Sequence, residues 1–204
     1  MQNMVKNSLV VFLLVLFVSS CDKKFDAVEE INDYIKDANH GFSQTKIING
    51  IKINLTYKPS EVVAINEFKN SNYSEKRKDS IKKNYNKYLY FLLSYSKDDK
   101  EILSTIPQSR EEFNSIQNTL TFEMNDKVTL TNNSQDTIPF IDSNFSRTYG
   151  FARSTNILLI FEKNKDFNGS KEIYFNLADI GLQTGDVKFK YTTSIINQKN
   201  FKLK

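Results

Sequence analysis

Tyr88–Tyr95, with the sequence YLYFLLSY, is the stretch of the chain that decides the fold. Every residue in it except Ser94 is apolar or aromatic, so both faces of the segment are largely apolar. An apolar run of this length, bounded by charged residues, is typical of a strand buried on both faces. We therefore predict that Tyr88–Tyr95 is the central strand of a sheet.

The segment before this strand contains a second strand and several helices. Apolar residues alternate with polar ones from Ile51 to Tyr57, which predicts a half-buried strand that ends at Pro59. Helices are predicted from apolar residues at helical spacing, from N-cap residues and from charged runs. They are Phe25 to about Asn39, the segment after Ser60, Glu75–Lys87, and the segment that begins at the capping box Ser109–Glu112.

From Thr119 onward the pattern changes to short strands separated by turn residues at intervals of roughly 8–12 residues. Pro139 cannot donate a ladder hydrogen bond, so its strand is predicted to be an edge strand or to contain a bulge. We predict a mostly β fold, an antiparallel β-sandwich of immunoglobulin-like or transthyretin-like kind with two to four peripheral helices. The predicted strands are Leu120–Met124, Val128–Leu130, Thr137–Ile141, Thr155–Glu162, Glu172–Leu177, Asp186–Thr192 and a short tail around Ile195.

The N-terminus has the features of an export signal. Lys6 precedes the apolar run Leu9–Val18, which as a helix would be about 15 Å long, half of a ~30 Å bilayer core. That length is too short for a membrane span and suits a signal peptide. Ser19, Ser20 and Cys21 follow, and Val18 to Cys21 resembles the lipobox of bacterial lipoproteins.

This resemblance, which covers only the first 21 residues, implies a specific processing of Cys21. In bacterial lipoproteins the cysteine receives a diacylglyceryl thioether, the peptide is cut before it, and its new amine is acylated with palmitate or a similar chain. Several acyl chains hold a protein on a membrane essentially permanently. The alternative is an ordinary cleavable signal followed by a free cysteine.

The predicted organisation is a signal peptide (1–20), a lipidated cysteine with a tether or helix (21–45), and a single sandwich domain with helical insertions (46–204). The charged cluster Asp22–Lys24 resembles surface-export signals of some diderm bacteria. In other bacteria an aspartate after the cysteine marks retention in the inner membrane. We expect the outer membrane rather than the inner one, and the periplasmic or surface face stays open.

Composition limits the chemistry. The net charge of +4 is spread along the chain, which gives no concentrated footprint for nucleic acid. Cys21 is the only cysteine, so disulfides and cysteine-ligated metals are excluded once it is lipidated. His40 is the only histidine, and no metal site or cofactor is predicted. No G-x-S-x-G, P-loop or G-x-G-x-x-G motif occurs, and no catalytic residue is assigned.

Two loops are predicted to bind a partner, together with the strand that carries Pro139. One is the hairpin tip Asn164–Ser170, where Asn164, Asp166, Asn168 and Gly169 partly imitate a calcium loop. Its first position is Asn rather than Asp and its twelfth is Phe175 rather than Glu, so a plain turn is expected. The other is Ile180–Asp186, which contains Gly181 and Gly185.

A basic segment around the third predicted helix is another candidate surface. It could meet an anionic lipid surface or a polyanionic glycan. The alternative is an ordinary solvated helix face, with Glu75 and Asp79 moderating the charge. The residues are Lys76, Arg77, Lys78, Lys82, Lys83 and Lys87.

Together these features predict a membrane-anchored, non-enzymatic binding or structural module of the cell envelope, whose partner is an envelope protein or glycan. One alternative is a hydrolase of envelope glycan or peptidoglycan, which requires a cleft with two carboxylates roughly 5–10 Å apart. Another is a carrier of a small apolar ligand, which requires an apolar cavity of about 300 Å³ or more.

Overall fold

The computed structural model describes residues 24–164, 167, 170–198 and 201–203. No helix within these residues is long and apolar enough to cross a membrane. The strands are β1 (Lys24–Phe25), β2 (Ser43–Ile48), β3 (Ile51–Lys58), β4 (Tyr88–Lys97), β5 (Val128–Asn132), β6 (Thr137–Ile138), β7 (Phe140–Phe145), β8 (Thr155–Glu162), β9 (Glu172–Leu177), β10 (Val187–Thr192) and β11 (Lys202–Leu203).

Helices contribute about as many of the described residues as strands do, so the predicted mostly β class was too narrow. A 3₁₀ turn at Ala38–His40 follows the first helix. The α-helices with described bounds are α1 (Val28–Lys36), α2 (Ser60–Phe68), α3 (Glu75–Tyr85), α4 (Ile102–Thr105), α5 (Arg110–Phe122), α6 (Met124–Lys127) and α7 (Thr193–Ile196).

Two antiparallel sheets form the body of the fold. The larger has five strands in the order β2-β3-β4-β8-β7, and the smaller has four in the order β10-β9-β5-β6. Strand β4 lies at the centre of the larger sheet, where Leu93 pairs with Leu55 of β3 and with Ile157 of β8. The prediction that YLYFLLSY is a central strand is confirmed.

The two sheets pack against each other through aromatic rings. The ring centroid of Phe91 on β4 lies 5.7 Å from that of Phe175 on β9 and 5.5 Å from that of Tyr191 on β10. Phe161 on β8 lies 6.1 Å from Phe175. All four side chains are fully buried. The odd-numbered residues of β3, β4 and β8 face this core, so the even-numbered ones face away from it.

Helices α1, α2 and α3 cover one end of the outer face of the larger sheet. Ile31 and Ile35 of α1 are buried in the main core, so this helix packs on the body of the fold. The Tyr85 ring of α3 lies 5.8 Å from that of Tyr90, which projects from the outer face of β4. Among the described residues, part of the remaining outer face forms an open groove.

The predicted strand Leu120–Met124 is wrong, because α5 runs through Phe122 and α6 begins at Met124. The Ser109 hydroxyl accepts a hydrogen bond from the Glu112 amide at 3.1 Å, which caps α5 as predicted. Ile116 and Leu120 are buried at helical spacing, whereas Phe122 is 75% exposed. The alternation of three apolar residues was too short to distinguish the two-residue period of a strand from the 3.6-residue period of a helix.

The predicted strand around Ile195 is also wrong. These residues form α7, whose first residue, Thr193, donates a hydrogen bond to the Ser170 carbonyl at 2.7 Å. This bond and the burial of Ile196 hold the turn against the end of β9. The last strand is β11 instead, which pairs in parallel with β1.

The segment around Pro139 is confirmed as an edge with a bulge. Pro139 separates β6, an edge strand of the smaller sheet, from β7, an edge strand of the larger sheet. The register between β7 and β8 shifts between Phe140 and Asp142. The chain therefore changes sheets at the residue that cannot donate to a ladder.

Candidate functional site

An open groove of about 580 Å³ lies on the outer face of the larger sheet, beside α1. Its floor is a polar row across three strands, because Asn54 pairs with Ser94 and Ser94 pairs with Asn156. Basic side chains stand around this row. We call this cavity the groove. Its lining residues are Lys36, Lys52, Asn54, Thr56, Lys58, Leu92, Ser94, Ser96, Asp99, Arg153, Ser154 and Asn156.

Hydrogen bonds between side chains fix the floor of the groove. The Ser94 hydroxyl donates to Asn156 Oδ1 at 2.6 Å, and the Ser154 hydroxyl donates to the same oxygen at 3.2 Å. Ser43 on β2 donates to Asn54 Oδ1 at 2.9 Å. These bonds engage the amide oxygens of both asparagines, so the floor is organised before any ligand arrives.

The charge on the rim of the groove is mainly positive. Its lining residues include four basic side chains and one carboxylate, that of Asp99. Lys36 lies 3.8 Å from Asp33, and both of these side chains are largely exposed. Within the described part of the chain, Lys52, Lys58 and Arg153 have no carboxylate within 4.0 Å. The groove therefore presents uncompensated positive charge.

Lys58 has the most perturbed environment of these cations. It stands at the end of β3 and is half-buried, and its Nζ donates a hydrogen bond to Asn32 Oδ1 of α1 at 2.7 Å. Burial, and then the positive charge of Lys36, lower the pKa of Lys58 to about 8. Desolvating an ammonium without a carboxylate partner costs free energy. An anion in the groove would offset that cost.

Asn32 and Lys36 occupy positions i and i+4 of α1 and therefore share one face of the helix. Asn32 Nδ2 donates to the Val28 carbonyl at 3.1 Å, which leaves its Oδ1 to accept from Lys58. The packing of α1 on the sheet thus brings two cations to the same end of the groove. This arrangement of cations can bind an anionic group.

Residues of the predicted basic segment line two depressions. Lys76 and Arg77 line a depression of about 490 Å³, whereas Lys82 and Lys83 line another of about 280 Å³. Lys78 is engaged by Glu75 at 2.7 Å, and this bond lowers the pKa of the Glu75 carboxyl.

Lys87, which follows α3, donates a hydrogen bond to Asn84 Oδ1 at 3.3 Å. The Arg77 guanidinium lies 4.8 Å from the centroid of the Tyr73 ring. Several of these cations thus already have local partners, and the predicted role of this segment in binding a lipid surface or a glycan stays a prediction.

The loop that contains Gly181 and Gly185 is shaped by the carboxylate of Asp179. Its oxygens accept hydrogen bonds from the amides of Gly181 (3.0 Å), Leu182 (2.7 Å) and Gly185 (3.2 Å). Gly181 has φ +93° and Gly185 has φ +62°, a region in which a side chain is strained. Both glycines therefore serve the turn itself, and a role of this loop in partner binding stays a prediction.

Only part of the predicted hairpin tip can be placed. Asn164 Oδ1 accepts a hydrogen bond from the amide of Phe167, a buried residue, at 3.1 Å. Asp166, Asn168 and Gly169 lie outside the described residues, as does Cys21. Across the described residues, no group of three or more His, Cys, Asp or Glu side chains could hold a metal ion.

The structure offers little to favour a hydrolase. Asp126 and Asp186 line one cleft of about 390 Å³, together with Lys127 and Lys188. Both carboxylates are exposed. The hydrolase alternative therefore stays a prediction.

A carrier of an apolar ligand requires an enclosed apolar cavity. In the described residues, buried rings occupy the space between the two sheets, at centroid distances such as the 5.5 Å between Phe91 and Tyr191. The larger cavities open to solvent and are lined by charged side chains, as the groove is. The carrier alternative stays a prediction.

Sequence reasoning missed an exposed aromatic loop between β7 and β8. Tyr149 is 73% exposed and Phe151 is 95% exposed. The Arg147 guanidinium lies 4.6 Å from the Tyr149 ring centroid, and the buried carboxylate of Glu101 accepts a hydrogen bond from the Gly150 amide. In the sequence, Tyr149 and Phe151 closely follow Arg147, and this local pattern could have indicated the exposed loop.

The groove was missed as well, although its residues left a trace. Ser94 is the one polar residue in YLYFLLSY, and Asn156 directly precedes the apolar run Ile157–Phe161 of β8. No protein-family model, curated protein or solved structure matches this chain, so its fold and site are described from its own residues.

Proposed function

We propose that this chain is a bacterial lipoprotein, anchored through Cys21 to a membrane of the cell envelope, the outer membrane rather than the inner one. In this proposal the domain binds an envelope partner, without catalysis, through the groove. The observation that carries the proposal is the preformed polar floor of Asn54, Ser94 and Asn156, bordered by uncompensated cations.

The residues that line the groove support binding rather than catalysis. Asp99 is the only carboxylate among them, and neither histidine nor cysteine contributes to the lining. General acid–base chemistry on a glycan uses a pair of carboxylates, and nucleophilic catalysis uses a nucleophile beside a base. Hydroxyl, amide and ammonium groups instead supply hydrogen bonds and charge.

The anchor supports a binding role in a second way. A domain held at a membrane by several acyl chains samples a thin layer of the envelope, where its partner is present at high effective concentration. An open groove of modest affinity is then sufficient.

We also propose that the two packed antiparallel sheets form a sandwich of immunoglobulin-like or transthyretin-like kind.

The anchor is tested by membrane fractionation of a diderm host that expresses the full chain or its Cys21→Ser variant. The unaltered chain should sediment with membranes, and the variant should appear in the soluble fraction. If the variant stays with the membranes to the same extent, anchoring through Cys21 is wrong.

Binding through the groove is tested by sedimentation of the soluble Cys21→Ser protein with isolated envelopes. A second substitution, Ser154→Trp, places an indole in the groove. Ser146→Trp is the matched control, since Ser146 is exposed and does not line the groove. The first should abolish cosedimentation and the second should not. Equal cosedimentation of both variants would show that the groove is not the binding surface.

A further inference from the structure

We infer that the groove binds an acidic saccharide, a glycan whose carboxylate or phosphate group lies between Lys58 and Lys36. This inference rests on the proposed function, because it takes the same groove as the binding site, and it adds the chemical class of the ligand. The charge of the rim, the hydrogen-bonding groups of the floor and the shape of the site each support it.

The end of the groove beneath α1 is suited to one anionic group. Lys58 uses one ammonium proton for its bond to Asn32 Oδ1, which leaves two N–H donors for a ligand. Lys36 projects from the same helix as Asn32, and its neighbour Asp33 is 3.8 Å away and largely exposed. Such an exposed contact is weak in water, so Lys36 can turn toward an anion at little cost.

The lowered pKa of Lys58 agrees with this geometry. Burial disfavours the charged form of Lys58, and the positive charge of Lys36 adds to that effect. The negative charge of a bound carboxylate or phosphate would offset both effects. Lys52 and Arg153 extend the positive rim beyond this end. They could therefore bind further anionic groups along an extended ligand.

The floor is suited to saccharide hydroxyls. Side-chain hydroxyls and amides both donate and accept hydrogen bonds, as sugar hydroxyls do. Asn54, Ser94 and Asn156 lie on three adjacent strands, which at about 4.8 Å between strands gives a row about 10 Å long. A row of that length is comparable with a disaccharide. The hydrogen bonds from Ser94 to Asn156 and from Ser43 to Asn54 hold these groups in place, which lowers the entropic cost of binding a flexible glycan.

Other anionic partners fit the groove less well. Single-stranded nucleic acids are held by base stacking on aromatic rings, and Leu92 is the main apolar side chain among the described lining residues. A lipid bilayer presents a broad surface that does not enter a groove between a helix and a sheet. A soluble or wall-associated acidic glycan is an extended chain that can enter it.

The inference is tested by isothermal titration calorimetry on the full chain in a non-ionic detergent. The probes are tetragalacturonate, which carries carboxylates, glucose 6-phosphate, which carries phosphate, and the neutral chitotetraose. At least one anionic probe should bind ten or more times as tightly as chitotetraose, and the better of the two identifies the acidic group. Vesicles with phosphatidylglycerol serve as the lipid probe, and they are titrated into the soluble Cys21→Ser protein without detergent.

Lys58→Met should weaken binding of the preferred anionic probe at least fivefold. Lys69→Met is the matched control, because Lys69 is exposed at the end of α2 and does not line the groove. It removes the same charge and should leave the affinity unchanged. Equal weakening by both variants would indicate a general effect of net charge and would overturn the assignment of Lys58.

Three further outcomes would overturn the inference. They are equal affinity for chitotetraose and the anionic sugars, failure of both anionic sugars to bind, and stronger binding to phosphatidylglycerol vesicles. If envelope cosedimentation is still lost in Ser154→Trp, only the ligand class is wrong and the proposed function stands. If cosedimentation does not depend on the groove, both are wrong.

Discussion

Replacing Lys58 by methionine should make the protein more stable at neutral pH, although it removes a cation from the groove. The pKa of Lys58 falls from its ordinary value of 10.5 to about 8 in the folded chain. At about 1.4 kcal/mol per pH unit, this difference corresponds to roughly 3 kcal/mol against the folded state when the lysine is charged. Methionine fills a similar volume and carries no charge.

The expected gain is smaller than that figure for two reasons. The side chain is only half-buried, so water screens part of the penalty. The substitution also removes the 2.7 Å hydrogen bond from Lys58 to Asn32 Oδ1, which costs about 1 kcal/mol. We expect the Lys58→Met variant to gain about 1–2 kcal/mol in free energy of unfolding at pH 7.

The pH dependence has a definite sign. A lowered pKa means that the folded state binds the Lys58 proton less tightly than the unfolded state does. Wild-type stability therefore rises, relative to the variant, as the pH increases from about 8 toward 10.5. Between pH 7 and pH 9.5 the advantage of Lys58→Met should shrink by about 1 kcal/mol, because the screening that reduces the penalty also reduces its change with pH.

Urea unfolding, followed by circular dichroism at pH 7, 8.5 and 9.5, measures both effects. Lys69→Met is the control, since Lys69 is exposed and its nearest carboxylate, Glu29, lies 3.8 Å away. Its effect should stay within about 0.5 kcal/mol at every pH. A Lys58→Met variant that is less stable than wild type at pH 7, or whose difference from wild type does not change with pH, would refute the reasoning.

Three further predictions concern hydroxyl groups and are also measured by urea unfolding. The hydroxyl of Tyr95 is buried without a hydrogen-bond partner among the described residues, so Tyr95→Phe should raise stability by about 1 kcal/mol; a loss of that size would indicate an unseen partner. The buried hydroxyl of Tyr191 donates to the Leu55 carbonyl at 2.6 Å, so Tyr191→Phe should lower stability by about 1–2 kcal/mol, and no change would mean that this bond contributes nothing. The Ser109 hydroxyl caps α5, so Ser109→Ala should cost about 1 kcal/mol and Ser109→Asp should cost much less; equal losses would contradict the capping role.

The parts of the fold that could be predicted are those in which neighbouring residues carry the signal. YLYFLLSY is apolar on both faces, and that is a property of one segment, so its central place in a sheet followed directly. Pro139 lacks an amide proton wherever it lies, so an edge or bulge was predictable there. The prediction of a strand at Leu120–Met124 was wrong. The helix α5, which is capped by Ser109 and buries Ile116, continues through Phe122.

The groove could not be predicted, because it depends on residues that are distant in sequence. Asn54, Ser94 and Asn156 form one row only through the register of β3, β4 and β8, which no local pattern specifies. The cations are equally dispersed. Lys36 comes from a helix and Arg153 from a loop, so no charge run marks the groove. The run that the sequence does display, on α3, is divided between separate depressions.

If Cys21 is lipidated as proposed, the position of β1 beside β11 limits how far the domain can stand from the membrane. Strand β1 begins at Lys24, three residues after Cys21. Three residues extend at most about 10 Å, so a lipidated Cys21 would hold this end of the domain almost against the headgroups. Because β11 lies beside β1 in parallel register, a fluorophore attached near Leu203 would report the same short distance, and quenching by headgroup-labelled lipids would measure how upright the domain stands.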